Sequence, residues 1–360
     1  MNTALLLHLA DFLDAHSDER PNVPILQPAD PFLDTVGEEM RRRLFVSEGA
    51  DGRALCLRPE FTIPLCLHYV ERDALGQQTY SCAGTVFRQE RAGAQEFEQV
   101  GIEMLGHLRG AHADADALKL FHELLREARH PRAKVTLGDK ALFRALAEAI
   151  GLTDGWVDRL LRAFGRPDAL EAALEQLAAP PVETPDDDVH RLAAKGDRTA
   201  LELRVRELMK AGGMSPEAGR TPAAVAHRMI ERERDRAVRL DPFGIHTLRA
   251  FLGIDMALPD ALDAVTTLAD ATGLDLDEAL RNLRERLALL QETVDAERLT
   301  FRAGFGRALD YYTGLLFEAE DDGVALGGGG RYDKLCTALG AETPAPAVGF
   351  SLAVDRIAGR

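Results

Sequence analysis

The chain has 360 residues, 46% hydrophobic and 28% charged, which is enough to bury a large core and long enough for two or more structural units. Its formal net charge of -16 repels a phosphate backbone, which disfavours a general nucleic-acid binder. Four cysteines without CxxC spacing read as reduced, buried thiols, no apolar run approaches the roughly 20 residues of a membrane helix, and the start lacks a basic leader, so a cytoplasmic location is expected.

In chain order, Leu5, Leu6, Leu9, Phe12 and Leu13 recur at helical spacing and predict a helix ending before the turn-rich Arg20-Pro21-Asn22-Val23-Pro24. Segments 53–57, 79–88 and 96–106 predict strands, and the turn between the last two favours antiparallel pairing. Leu118, Leu120, Phe121, Leu124 and Leu125 predict an amphipathic helix over 114–129, followed by a strand at 134–137.

From about Gly151 to Leu240 the composition shifts to Ala, Leu, Arg and Glu, broken at Pro180-Pro181 and at the acidic Thr184-Pro185-Asp186-Asp187-Asp188. This predicts a helical inserted unit with exposed connections. Its run Glu231-Arg232-Glu233-Arg234-Asp235-Arg236 mixes both signs and reads as a solvated helix face rather than a nucleic-acid patch. A helical pair near 258–268 and 276–290 then leads into strands at 299–303 and 312–319. Strands, helical insert and strands again argue for an α+β fold. Residues 1–150 and 241–360 are expected to form the two parts of an antiparallel core flanked by helices, and residues 151–240 the insertion.

Several segments carry candidate chemistry. Glu60 and Thr62, in Arg58-Pro59-Glu60-Phe61-Thr62, could receive an ammonium group, while a turn with Thr62 as helix N-cap explains them as well. Arg88, in Phe87-Arg88-Gln89-Glu90-Arg91, could grip a phosphate or carboxylate through its guanidinium fork, or pair across strands with Glu90. The sharpest signal is Arg307-Ala308-Leu309-Asp310-Tyr311-Tyr312-Thr313-Gly314, where two tyrosines in a strand would face opposite sides beside both charge signs. The run Gly327-Gly328-Gly329-Gly330-Arg331-Tyr332-Asp333 permits close backbone approach to a ligand but matches neither a P-loop nor a dinucleotide fingerprint. His122-Glu123-Leu124-Leu125-Arg126 has Arg where a zinc helix needs its second His, so no metal and no cofactor are expected. Near the C-terminus, Val348-Gly349-Phe350-Ser351-Leu352-Ala353-Val354-Asp355-Arg356 is a Gly-led apolar run closed by an acid and an arginine.

In order and spacing, these segments resemble histidyl-tRNA synthetase over nearly the whole chain. The resemblance implies a class II aminoacyl-tRNA synthetase-like core. It places Glu60 and Thr62 at the amino group of histidine, Gln99 and Glu103 in the histidine pocket, and Arg307, Tyr311 and Tyr312 in the histidine-specific motif, with Ala308 replacing a Gly. Arg88 and Arg356 take the phosphate-binding positions of the second and third class II motifs.

Departures from that family redirect the expectation. After Arg91 the loop Ala92-Gly93-Ala94-Gln95-Glu96 is short and lacks the arginine that reaches ATP in the synthetase, and Glu96 would repel triphosphate. No anticodon-binding domain is expected after Arg356. Together these features resemble the regulatory-subunit family of ATP phosphoribosyltransferase. That resemblance implies a noncatalytic chain that partners the short catalytic subunit in a hetero-oligomer, expected as a hetero-octamer. It further implies self-association as a dimer through Pro24-Ile25-Leu26-Gln27-Pro28 and its following helix, histidine as effector, and no tRNA or membrane partner. Glu60, Thr62, Gln99, Glu103, Arg307, Tyr311 and Tyr312 are the expected histidine contacts, with Arg88 and Arg356 as vestigial phosphate binders. A truncated adenylating synthetase and a stand-alone histidine sensor are the rival readings.

Overall fold

A computed structural model describes residues 3–72, 76–90, 94–107, 109–180, 187–213, 221–291, 299–307 and 309–358. Arg91, Ala92, Gly93 and Ala308, which figure in the expectations above, lie outside the described residues, as do Pro181, Thr184, Pro185 and Asp186. The chain divides into two compact units, Met1–Phe143 with Phe251–Arg360, and Arg144–Ala250.

The larger unit contains eleven described strands: β1 (Leu26–Pro28), β2 (Val46–Glu48), β3 (Ala54–Leu57), β4 (Gln78–Phe87), β5 (Glu96–Leu105), β6 (Lys134–Asp139), β7 (Asp255–Ala257), β8 (Leu299–Arg302), β9 (Leu315–Asp321), β10 (Val324–Arg331) and β11 (Ala347–Ala353). Eight of them form one sheet in the order β4-β5-β11-β10-β9-β6-β8-β7, antiparallel throughout except for the β6–β8 pair. A small antiparallel sheet, β1-β3-β2, stands apart. This is the antiparallel α+β core that the order of strands and helices predicted.

Period-two alternation gives the main sheet two different faces. On one, Ile102 of β5 lies opposite Phe350 of β11, and the helix Gly110–Glu127 covers them with Phe121, whose ring sits 5.2 Å from Phe350 and 5.0 Å from Phe317. On the other face Glu103 lies opposite Gly349, and Gly101 opposite Ser351, so polar and small residues share one side. The change of side continues past β10, where Arg331 reaches the helix and Tyr332 turns to the opposite side.

A buried ionic network ties the covering helices to the strand ends. Asp114, fully buried, accepts from Arg286 Nε at 2.7 Å and from Arg331 Nε at 2.8 Å. Arg286 also donates to Asp139 at 2.5 Å, and the other oxygen of Asp139 accepts from the backbone of Ala141 and Leu142, which begin the helix Lys140–Ala149.

The smaller unit is helical, and its boundaries follow from local chemistry. Asp187, Asp197 and Thr221 cap the helices Asp188–Lys195, Arg198–Ala211 and Pro222–Ala237 by accepting from backbone N–H groups at 2.8, 3.0 and 3.2 Å. Gly196, at φ 70°, closes the first of these in the left-handed conformation that glycine adopts without strain. Ala193, Leu201, Val205, Ala226 and Ile230 form the shared core of the three helices. The run 231–236 is less uniformly solvated than its composition suggested. Glu233 is buried and accepts from Arg236 at 2.8 Å, because it falls on the core-facing side of its helix with Ala226 and Ile230.

Candidate functional site

The polar face of the main sheet opens into a cavity of about 270 Å³. Glu60, Thr62, Arg88, Gln99, Glu103, Arg307, Tyr311, Tyr312 and Arg356 all line it, so five separate stretches of sequence converge on one concavity. The alternation of β5 explains part of this convergence, since Gln99 and Glu103 project from the same face with Gly101 leaving room between them.

Acidic groups form the floor. Glu103 is 4% exposed and accepts from Thr62 Oγ1 at 2.5 Å and from the Tyr332 hydroxyl. Burial raises its carboxyl to about 8, against the two hydroxyl donors, which favour the charged form. Glu60, 3% exposed, is likewise raised by burial. It accepts from the backbone N–H of Thr62 at 2.5 Å and of Ile63 at 3.0 Å, so Glu60 satisfies the first turn of the helix Thr62–Glu71. Thr62 is therefore not the N-cap that its sequence context allowed. Its hydroxyl turns into the cavity.

The tyrosines also depart from expectation. Tyr311 and Tyr312 precede β9 instead of lying within it, because the strand begins only after Gly314. Their rings consequently pack 4.9 Å apart and line the same cavity rather than opposite faces of a strand. Tyr332 stands 5.7 Å from Tyr311 and completes an aromatic wall. Similarly, the glycine run belongs to the interior of β10, where Gly327 and Gly328 line the cavity, and is not a ligand loop.

The arginines are held by the protein itself. Arg88 donates from Nε to Pro59 O at 2.8 Å and lies over the ring of Phe97, and burial lowers its guanidinium to about 10. Arg307 donates to Phe317 O at 3.2 Å and faces Glu318 at 3.8 Å. Arg356 donates to Ala325 O at 3.1 Å and also approaches Phe97. Glu90 pairs with Arg43 and not with Arg88, since Gln95 holds the Glu90 backbone through two 2.9 Å hydrogen bonds.

Two buried atoms of the cavity lining are left without a hydrogen-bond partner among the described residues, one on Arg43 (Nε) and one on Gln99. Gln99 donates from Nε2 to Ser351 Oγ at 2.5 Å, while its Oε1 is buried with no partner. Tyr332, Ser351 and Gly349 were missed as site residues. Tyr332 was legible in principle, because strand alternation turns it to the side opposite Arg331. Gly349 is required because the Glu103 carboxylate occupies the space a Cβ would need.

Comparison with known proteins gives the chain a family. The family model described as histidyl-tRNA synthetase matches residues 2–261 and 256–357. The chain is 47% identical over 357 residues to the ATP phosphoribosyltransferase regulatory subunit of Rhizobium leguminosarum bv. trifolii strain WSM2304, covering 97% of this chain and 95% of that protein. It is 43% identical to the protein of the same name from Chelativorans sp. strain BNC1, covering 97% and 96%. Among solved structures, an ATP phosphoribosyltransferase regulatory subunit/histidyl-tRNA synthetase from Bacillus halodurans has a TM-score of 0.68 at 18% identity, covering 99% of this chain and 78% of that one. A histidine–tRNA ligase subunit from Alicyclobacillus acidocaldarius has a TM-score of 0.61 at 24% identity, covering 99% and 91%. At these identities the structures speak for the fold alone. The sequence relatives reach further, and by them the chain belongs to the family of ATP phosphoribosyltransferase regulatory subunits.

Proposed function

We propose that the chain activates the short catalytic subunit of ATP phosphoribosyltransferase, opening histidine biosynthesis, and that histidine bound in the sheet-face cavity takes part in feedback inhibition. Gln99 carries this reading. A buried acceptor without a partner costs about 1–3 kcal/mol, and an N–H from a ligand removes that cost. Glu60 and Glu103 beside it suit an ammonium or imidazole N–H, and the tyrosine wall suits a flat ring. A volume of about 270 Å³ lies just below the roughly 300–1,000 Å³ typical of drug-sized ligand sites, which fits a single amino acid.

The same cavity is poorly arranged for adenylation. That chemistry needs cations converging on the charge that develops on phosphate, whereas the stretch 92–96 after Arg91 supplies none and ends in Glu96. Histidine can regulate a partner only if it binds two conformations of the assembly unequally. The helical unit is read as an insertion into the synthetase-like core, and self-association is assigned to the small sheet, where Ile25, Leu26 and Val46 are 47%, 52% and 54% exposed.

Mixing the purified chain with a short-form catalytic subunit tests the proposal. Co-elution and a large increase in rate are expected. Absence of both a complex and a rate change would exclude the role. Robust ATP–pyrophosphate exchange with histidine by the chain alone would instead favour an adenylating synthetase.

A further inference from the structure

The helical unit holds 17 basic and 18 acidic residues, so nearly all of the formal charge of -16 belongs to the rest of the chain. Within this balanced unit the cations are unevenly placed. Arg162, on the helix Asp154–Ala163, and Arg228 and Arg232, one turn apart on the helix Pro222–Ala237, line one cleft of about 720 Å³. All three are exposed, and none forms a side-chain hydrogen bond or ion pair among the described residues. The acids of the cleft already have partners. Asp158 meets Arg144 at 3.3 Å, Glu231 meets His227 at 3.3 Å, and Asp235 accepts from Thr153 Oγ1 at 2.7 Å.

The cleft walls are fixed to each other. Trp156 Nε1 donates to Asp235 O at 2.7 Å, and Gly155 has no side chain, which lets the Asp235 carboxylate close against it. Like charges four residues apart weaken a helix, so Arg228 and Arg232 do not stabilise the unit through each other. Their guanidinium forks match oxyanions, and the cleft volume lies within the roughly 300–1,000 Å³ range of small-ligand sites.

We propose that this cleft binds a small, multiply charged oxyanion, a polyphosphate or a polycarboxylate, through Arg162, Arg228 and Arg232. A nucleic-acid strand is disfavoured because the three arginines are gathered in one cleft and the run 231–236 beside them alternates in sign, so no continuous basic stripe extends for a polymer to follow. The test is calorimetric titration of the full chain with tripolyphosphate and, separately, with citrate, at fixed ionic strength. Saturable binding of at least one is expected, weakened at least tenfold in Arg228→Gln/Arg232→Gln and, independently, weakened in Arg162→Gln. Stronger binding of tripolyphosphate identifies the phosphate class, and stronger binding of citrate the carboxylate class. Because the three side chains are exposed, unchanged circular dichroism is expected for every variant. Failure of both anions to saturate, equal affinity in the double variant, or binding only of a single-stranded RNA oligomer would overturn the proposal.

Discussion

Glu103 sits in a low-dielectric site with no arginine among the described residues hydrogen-bonded to it, and burial raises its carboxyl from 4.5 to about 8. Between those values the folded chain holds a proton that the unfolded chain has released, so this group makes stability fall as pH rises through that window. Thermal unfolding of wild type and Glu103→Gln from pH 5 to 8 should show the variant losing less stability, and parallel curves would contradict the assignment. Gly349→Ala places a methyl group against the same carboxylate. It should weaken histidine binding at least tenfold by calorimetry, because Glu103 must swing out of the cavity. Gln99 and Glu103 were legible through the resemblance to the synthetase, and strand alternation, which puts residues two and four apart on one face, agrees with it. The same rule misread Tyr311 and Tyr312, which lie outside the strand, and nothing local to their sequence announced the turn at Gly314.

At the scale of elements, the Asp114 network joins one helix to the ends of β6 and β10 and to the helix Asp277–Gln291. Breaking a buried ion pair by removing one partner typically costs about 3–5 kcal/mol, because the remaining charge is left uncompensated. Asp114→Ala leaves Arg286 to Asp139 and Arg331 to Asp333, so urea unfolding should reveal a loss toward the lower end of that range, whereas a change under about 1 kcal/mol would show the network to be dispensable. This network was invisible in the sequence. Asp114, Asp139, Arg286 and Arg331 are brought together only by the fold, and no spacing links them. The strands that were predicted lie within a few residues of their observed bounds, as with β4 and β5, because hydrophobic period is a local property, whereas β10 and β11 were not read as strands because their glycines blur that pattern. The first turn of the helix Thr62–Glu71 was not legible, since Glu60 takes the role that Thr62 could equally have filled.

For the whole molecule, the exposed apolar side chains of the small sheet have a defined consequence. Leu26→Lys with Val46→Lys should shift sedimentation toward a smaller species if that sheet joins two copies, and an unchanged distribution would place self-association elsewhere. The central claim is narrower: a histidine pocket on a synthetase fold serves to control another subunit. Histidine inhibition of the reconstituted ATP phosphoribosyltransferase complex, measured with wild-type chain and with Gln99→Leu, tests it most directly. The half-inhibitory concentration should rise at least tenfold in the variant while the uninhibited rate is retained, and superimposable inhibition curves would contradict the account.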